Sequence, residues 1–106
     1  MSPATAALFD ALGDPTRRAI VSRVARGPVS VSALAQPLGI SLTAVGQHLR
    51  VLERAGLLNS IKQGRVRSCA LRPEGLRMIE QWAQACRDEW DARLDRIGDV
   101  LDALPD

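Results

Sequence analysis

Hydrophobic residues in the first half of the chain recur at helical spacing, in segments separated by glycine and proline. A first helix is predicted over Ala4–Leu12 and ends at Gly13. Asp14 can cap a second helix, and Pro15 suits its first position, where a backbone N–H would have no partner. The predicted apolar stripe of this second helix consists of Ile20, Val21, Val24 and Ala25.

Two further helices are predicted in the segment SVSALAQPLGISLTAVGQHLRVLERAGLL. The shorter one follows Ser30 and contains Pro37, which removes a backbone hydrogen bond, so we expect a shortened or kinked helix. After a glycine turn, Ser41 caps a helix that runs over Leu42–Ala55 and ends at Gly56. Its predicted buried stripe consists of Val45, Leu49 and Leu52.

Beyond this fourth helix the apolar pattern becomes typical of strands. The segments LLNSIKQ and VRSCALR are joined by Gly64-Arg65, a connection short enough for a β-hairpin. Pro73 then starts a long last helix. The predicted fold is therefore mainly α with a small β-hairpin, in the order α-α-α-α-β-β-α.

Length and composition indicate one small domain. The chain has 106 residues, 46% of them hydrophobic, and we expect residues 1–106 to form a single domain of a size often completed by oligomerisation. No apolar run approaches membrane-spanning length, and the first residues lack the pattern of a signal peptide, so we expect no membrane partner and a cytoplasmic location. Cys69 and Cys86 are not spaced as a metal or redox doublet.

Charge is divided unevenly along the chain. Residues 1–72 carry 10 Lys/Arg and 3 Asp/Glu, a net +7, whereas residues 73–106 carry 4 and 9, a net −5. A basic body and an acidic last segment suggest two surfaces with different partners, although chance clustering of solvated charge would give the same split.

The short third helix, the glycine turn and the fourth helix form a helix-turn-helix signal, whose second helix places its N-terminal side chains in the DNA major groove. Gln47 can pair with adenine, and Thr43 can contact a thymine methyl group or a phosphate. Gly46 costs about 1 kcal/mol relative to alanine inside a helix. That cost is tolerable if its backbone approaches DNA or the third helix. The predicted reading face consists of Ser41, Thr43, Ala44, Gly46 and Gln47.

Basic residues surround the helix-turn-helix. Arg65, at the hairpin tip, can act from a wing on the minor groove or on flanking phosphates, and we favour phosphate binding over a merely solvated surface for the whole set. His48 flanks the buried stripe, so a structural role at a helix junction is favoured and a DNA contact is the alternative. The predicted basic contacts are Arg50, Arg54, Lys62, Arg65 and Arg67.

The last helix, predicted over 74–104, carries apolar residues at steps of three and four, a coiled-coil-like seam. We expect its first turns to pack on their own domain and the rest to pair with a second copy of the chain. Cys86 is interpreted as a small buried hydrophobic residue, with a redox switch as the alternative. Trp82 and Trp90 either pack in a core or line a small-molecule pocket. The seam consists of Leu76, Ile79, Ala83, Cys86, Trp90, Leu94, Ile97, Leu101 and Leu104.

The segments LFDALGDPTRRAIVSRVARG, VSALAQPLGISLTAVGQHLRVLERAGLL and GRVRSCALRPEGL together resemble the ArsR/SmtB family of winged helix-turn-helix bacterial repressors, over nearly the whole chain. The resemblance implies a homodimer that binds double-stranded operator DNA near its own promoter and releases it on a signal, which leaves an unidentified small-molecule inducer open as a partner. It also implies that the first helix, with Leu8 and Leu12, joins the last helix in the dimer interface.

The sequence departs from the metal-sensing members of that family. Ser30 and Ser32 stand where those members have a Cys-x-Cys pair, and the last helix holds no histidine. We therefore expect no metal site and no cofactor. Two alternative readings remain: a winged-helix module that binds only protein, and a repressor that responds to thiol oxidation through Cys69 or Cys86. With one histidine, no phosphate loop and no metal cluster, an enzyme is not expected.

Overall fold

The structure, a computed structural model, describes residues 1–105; residue 106, the last of the predicted domain, lies outside the described residues. The elements in chain order are α1 (Pro3–Leu12), α2 (Pro15–Val24), β1 (Val29–Ser30), α3 (Val31–Leu38), α4 (Leu42–Ala55), β2 (Leu58–Gln63), β3 (Val66–Leu71) and α5 (Pro73–Asp102). The predicted fold class, mainly α with a β-hairpin in a winged helix-turn-helix order, is confirmed.

Side-chain caps fix where α2 and α4 begin, as Ser2 does for α1. The Asp14 carboxylate accepts the Arg17 backbone N–H at 2.9 Å, and the Ser41 hydroxyl accepts the Ala44 N–H at 3.1 Å. At the other end of α4, Gly56 adopts a left-handed conformation with φ 88°, which glycine reaches without steric cost. The bounds of α4 are those predicted from the sequence.

The sheet has three antiparallel strands in the order β1-β3-β2, where the sequence predicted only a hairpin. In the hairpin, Leu58 pairs with Leu71 and Gln63 with Val66, and Gly64-Arg65 forms the connection. The additional strand, β1, pairs Val29 with Cys69. Two residues are too few to show an alternating pattern, so this strand had no signal in the sequence.

The core lies where α1, α2, α3 and α4 meet the inner face of the sheet. Its members are Leu8, Ala11, Ile20, Val21, Val24, Val29, Leu34, Val45, Leu49, Leu52, Leu57, Leu58 and Cys69. The predicted stripe of α4 is buried in full, whereas Ala25 of the predicted α2 stripe is exposed because α2 ends at Val24. Pro37 is tolerated because α3 has only eight residues and the proline lies in its last turn.

Two arginines of α2 hold the end of α1. Arg17 Nε donates to the carbonyl of Ala11 at 2.6 Å, and Arg18 Nη1 donates to the carbonyl of Leu12 at 2.7 Å. These donors satisfy carbonyl groups that a helix end leaves without partners. The α1–α2 corner is therefore fixed by charge-assisted hydrogen bonds as well as by packing.

Helix α5 projects from the domain. Its first turns pack on the core through Leu76 and Ile79, and the Trp82 ring meets Phe9 of α1 edge-on at 5.0 Å between centroids. From residue 80 onward nearly every described residue is exposed. The radius of gyration is 19.9 Å, against about 13 Å for a compact chain of this length. Within residues 1–105, no helix is long and apolar enough to cross a membrane.

Two predictions about the last helix and its interface need correction. Leu8 is 0% exposed in the core of its own chain, so it has no surface left to offer to a second copy, whereas Leu12 remains half-buried at the edge. Cys86, expected to be buried on the seam shared with a second copy, is exposed in the single chain, so its burial stays a prediction. Helix α5 ends at Asp102 rather than at residue 104.

Candidate nucleic-acid interface

The predicted reading face lies on the first turns of α4. Thr43 and Gln47 are exposed one turn apart, and Ala44 between them is half-buried. Because Val45, Leu49 and Leu52 anchor the opposite side of the helix in the core, these side chains point away from the protein. The surface they form is small and polar, as a major-groove contact requires.

Gly46 lies in this face with open space above it. Among the described residues, a methyl group placed on Gly46 would meet no atom within 4 Å apart from the adjoining residues and backbone of its own helix, and its φ is not positive. Of the two explanations offered by the sequence, close approach to the third helix is therefore excluded, and close approach to a molecule outside the chain remains.

The β2–β3 hairpin, here called the wing, extends beside α4. Gly64 has φ 62° at the first position of its two-residue connection, the position where hairpin turns of type II′ need glycine. Arg65 at the tip and Lys62 are exposed. Lys62 stands directly opposite Arg67 in the register. Like charges in opposite positions destabilise a hairpin.

Arg67 is partly engaged within the protein. Its Nη2 donates to the Ser60 hydroxyl at 2.9 Å and lies 3.6 Å from Glu53 Oε1 of α4. That carboxylate oxygen is buried and has no hydrogen-bond partner. The pair ties the wing to α4, so Arg67 is placed to position the wing at least as much as to contact phosphate.

A groove of about 380 Å³ separates α4 from the wing. It brings together predicted site residues Gly46, Arg65 and Arg67. Leu42 and Val66 also line it, at 55% and 53% exposure. Sequence reasoning missed these two; the one signal available was an apolar residue on the polar side of each element.

The other basic residues are spread along α4. Arg50 is exposed in the middle of the helix, and Arg54 is exposed in its last turn. At 1.5 Å per residue Arg54 lies about 16 Å along the axis from Thr43, beside Asp10 and Arg17. The structure thus separates Arg54 from the reading face, while Arg65 and Gly46 share one side of the molecule.

His48 lies at the junction of α4 with α2. Its Nδ1 is 4.0 Å from Asp14 Oδ2, and its side chain is 23% exposed. The Arg17 backbone hydrogen bond is the main cause that lowers the pKa of Asp14, with smaller contributions from the charges of Arg17 and His48. This arrangement fits the structural role favoured for His48.

The remaining candidate residues are the two serines near the start of α3 and the buried cysteine. Ser30 and Ser32 bring their hydroxyl oxygens to 3.4 Å of each other. Across residues 1–105 no three His, Cys, Asp or Glu side chains cluster as a metal site would need. Cys69 is buried, and burial, followed by the Glu53 charge, raises the pKa of its thiol. A raised pKa disfavours the reactive thiolate.

Comparison with known proteins identifies the class of molecule that this fold and surface define. Residues 12–61 match a family described as a helix-turn-helix domain. The HTH-type transcriptional regulator Rv2034 of Mycobacterium tuberculosis is 48% identical over 68 residues, which is 64% of each protein. The chain thus spans less than two thirds of the length of that relative.

Two solved structures extend the likeness beyond the helix-turn-helix. The first is the crystal structure of ArsR family transcriptional regulator RHA00566, which is 39% identical in sequence. The matched region is 86% of this chain and 95% of that protein, with a TM-score of 0.79. A homodimeric winged helix-turn-helix DNA-binding domain from Mycobacterium bovis is 26% identical, over 81% of this chain and 80% of its own, with a TM-score of 0.66. The chain belongs to the ArsR family of winged helix-turn-helix transcriptional regulators.

Proposed function

We propose that the protein is a dimeric, sequence-specific, cytoplasmic DNA-binding regulator that represses its own promoter, and not an enzyme. The observation that carries the proposal is the groove between α4 and the wing, where Gly46 of α4 lies across from Arg65. Thr43 and Gln47 are exposed on the same first turns of α4. In this arrangement α4 reads base edges in the major groove, and Arg65 binds phosphate or a narrow minor groove. An inducer of small-molecule type would act by changing the geometry of the dimer.

The exposed part of α5 supports the dimer. Its apolar side chains have no cover in the single chain, and they continue the coiled-coil-like seam far beyond the core. The homodimeric state of the Mycobacterium bovis domain is in line with this proposal. Exposed members of the seam include Trp90, Leu94, Ile97, Leu101 and Leu104.

We further propose that regulation does not use the metal sites common in the family. Serine hydroxyls at Ser30 and Ser32 are poor replacements for the thiolate ligands that zinc and related ions prefer. The thiol-based alternative gains no support at Cys69, whose burial and raised pKa disfavour reaction.

Footprinting on the DNA upstream of its own gene identifies the operator, and two variants then separate the roles of α4 and the wing. Gln47→Ala should lose about 1–3 kcal/mol of operator binding and relax preference at one base position per half-site. Arg65→Ala should weaken operator and scrambled duplex alike and reduce the salt slope by about one per subunit. Titrations of both duplexes at several salt concentrations measure these effects.

Matched controls remove the same side chains from α5, where no DNA contact is proposed. Gln84→Ala and Arg87→Ala should bind operator as the wild type does, since both positions are exposed on α5, away from the reading face. Equal and salt-independent losses for the Gln47 and Arg65 variants would mean that the reading face is wrongly assigned. Absence of salt-dependent wild-type binding would favour a protein-interaction module instead.

A further inference from the structure

Gly46 has no explanation within the chain. It occupies the second turn of a helix whose two ends are well capped, and its φ is not positive. In the described part of the chain, no other element comes within 4 Å of the position its side chain would fill. Glycine in such a position makes the helix less stable than alanine would. Gly98 of α5 has the same open space, so openness alone does not identify a ligand. What distinguishes Gly46 is that it lines a groove between two elements.

That space is the groove between α4 and the wing, and its lining is mixed. Leu42 and Val66 contribute exposed apolar side chains, and Ser32 contributes a hydroxyl from the start of α3. Arg65 and Arg67 contribute positive charge. The carboxylate of Glu53 is directed at Arg67. The groove therefore combines apolar walls with positive charge.

The geometry of duplex DNA supplies an occupant with this chemistry. The major and minor grooves of B-DNA are divided by a single sugar–phosphate strand. If α4 lies in a major groove while the wing reaches the adjacent minor groove, that strand must pass between them. A deoxyribose presents carbon and hydrogen to apolar walls, and its phosphate presents negative charge to arginine and a hydroxyl.

We propose that this groove seats the deoxyribose–phosphate strand that divides the two DNA grooves, with Gly46 kept free of a side chain so that the strand can approach α4. Leu42 and Val66 pack against the sugar, and Ser32 donates its hydroxyl to the phosphate. The assignment rests on the proposed DNA-binding function and adds to it residues that position the duplex without reading bases.

Gly46→Ala tests whether the groove holds the strand, because the substitution should raise thermal stability and lower DNA affinity. Gly46→Ala should raise Tm by about 4–8 °C, since alanine favours the helix and meets no neighbour. It should also weaken binding to a duplex selected by the wild type from a random-sequence pool, by about fivefold or more. Gly98→Ala is the matched control, since Gly98 also lies in a helix with open space around it, on α5. The control should raise Tm without weakening DNA binding.

Hydroxyl-radical cleavage of the bound duplex reports the sugars directly, because the radical attacks deoxyribose hydrogens that protein leaves uncovered. The wild type should protect sugars of one strand at the boundary of the major and minor grooves. The double variant Leu42→Ala with Val66→Ala should lose that protection and keep its fold, since both side chains are exposed and outside the core.

The outcomes distinguish failure of the groove assignment from failure of the proposed DNA-binding function. Operator binding by Gly46→Ala equal to that of the wild type would overturn the groove assignment and leave DNA binding intact. A lower Tm for Gly46→Ala would also overturn it, because the glycine would then serve the fold. Failure of the wild type to bind any duplex would overturn both. Unchanged sugar protection in the double variant would show that the groove holds something other than the strand.

Discussion

Single side chains at helix ends set much of the local structure, and the sequence predicts those whose partner is local. Asp14 and Ser41 both cap as predicted, because the N–H group that each accepts is three residues ahead. The partners of Arg17 and Arg67 could not be predicted in this way. The carbonyl of Ala11 that Arg17 contacts and the Glu53–Arg67 pair depend on how elements turn back on each other.

The Asp14 cap should make stability depend on pH in a defined direction. Because the folded-state pKa of Asp14 is lowered, its carboxylate contributes stability that is fully present above the unfolded pKa. That contribution is lost as the pH falls through the folded pKa. Asp14→Asn keeps a capping oxygen but removes the charge. We therefore expect the wild type to be more stable than Asp14→Asn at neutral pH.

The difference should vanish in acid, which denaturant unfolding at a series of pH values measures. Asp91→Asn serves as the control, because Asp91 is exposed on α5 and lies away from the Asp14 junction. A stability gap between the wild type and Asp14→Asn that stays constant into strong acid would show that the charge of Asp14 has no part in the cap.

Among the elements, those with sequence signals at both ends were predicted most closely. Helix α4 has its cap at Ser41 and its left-handed glycine at Gly56, and its bounds were right. Strand β1 was missed because two residues carry no period. The seam of α5 was predicted as a pattern, but which of its turns pack on the core depends on tertiary contacts that spacing alone does not specify.

The junction of α4 and α5 predicts a substitution that should be harmful although it improves helix propensity. A methyl group on Gly75 would lie 2.6 Å from the carbonyl oxygen of Gly56 and 3.1 Å from Leu57 Cδ2. The carbonyl is backbone at a helix end and cannot swing aside. Gly75→Ala should therefore destabilise the fold by about 1–3 kcal/mol through overpacking, seen as a lower Tm in thermal unfolding.

Gly98→Ala provides the opposite result within the same helix. Gly98 has open space around it, so alanine there should raise Tm. If Gly75→Ala is as stable as the wild type or more so, the close approach of α5 to the end of α4 is not rigid, and the base of α5 can move relative to the domain.

At the scale of the whole molecule, the dominant feature is an uncovered helix. The described chain measures 74 × 23 × 23 Å. Helix α5, with 30 residues, accounts for about 45 Å of helix at 1.5 Å per residue. Sequence periodicity predicted this seam and its need for a partner, since the core is too small to cover it. What periodicity does not supply is the arrangement of two copies, and hence the distance between their reading helices.

The dimer proposal predicts that charge placed on the outer seam separates the subunits without unfolding them. Leu94 and Ile97 are exposed in the single chain and are not part of its core. Leu94→Asp with Ile97→Asp should therefore keep its helical circular dichroism but sediment as a monomer. Asp95→Ala, between them on another face of α5, should remain a dimer. A wild type already monomeric at micromolar concentration would refute the proposal.

Operator binding should fall together with dimerisation, for a geometric reason. Two reading helices joined through α5 engage two half-sites, which in helix-turn-helix dimers lie about 34 Å or a multiple of it apart. Once one subunit has bound, its partner is held near the second half-site at a high effective concentration. The Leu94/Ile97 variant keeps an intact reading face, yet loses that advantage. It should bind a single half-site as well as a wild-type subunit does, and bind the full operator much more weakly. Titrating both duplexes measures this, and full operator affinity in a monomeric variant would show that one subunit reads the whole site.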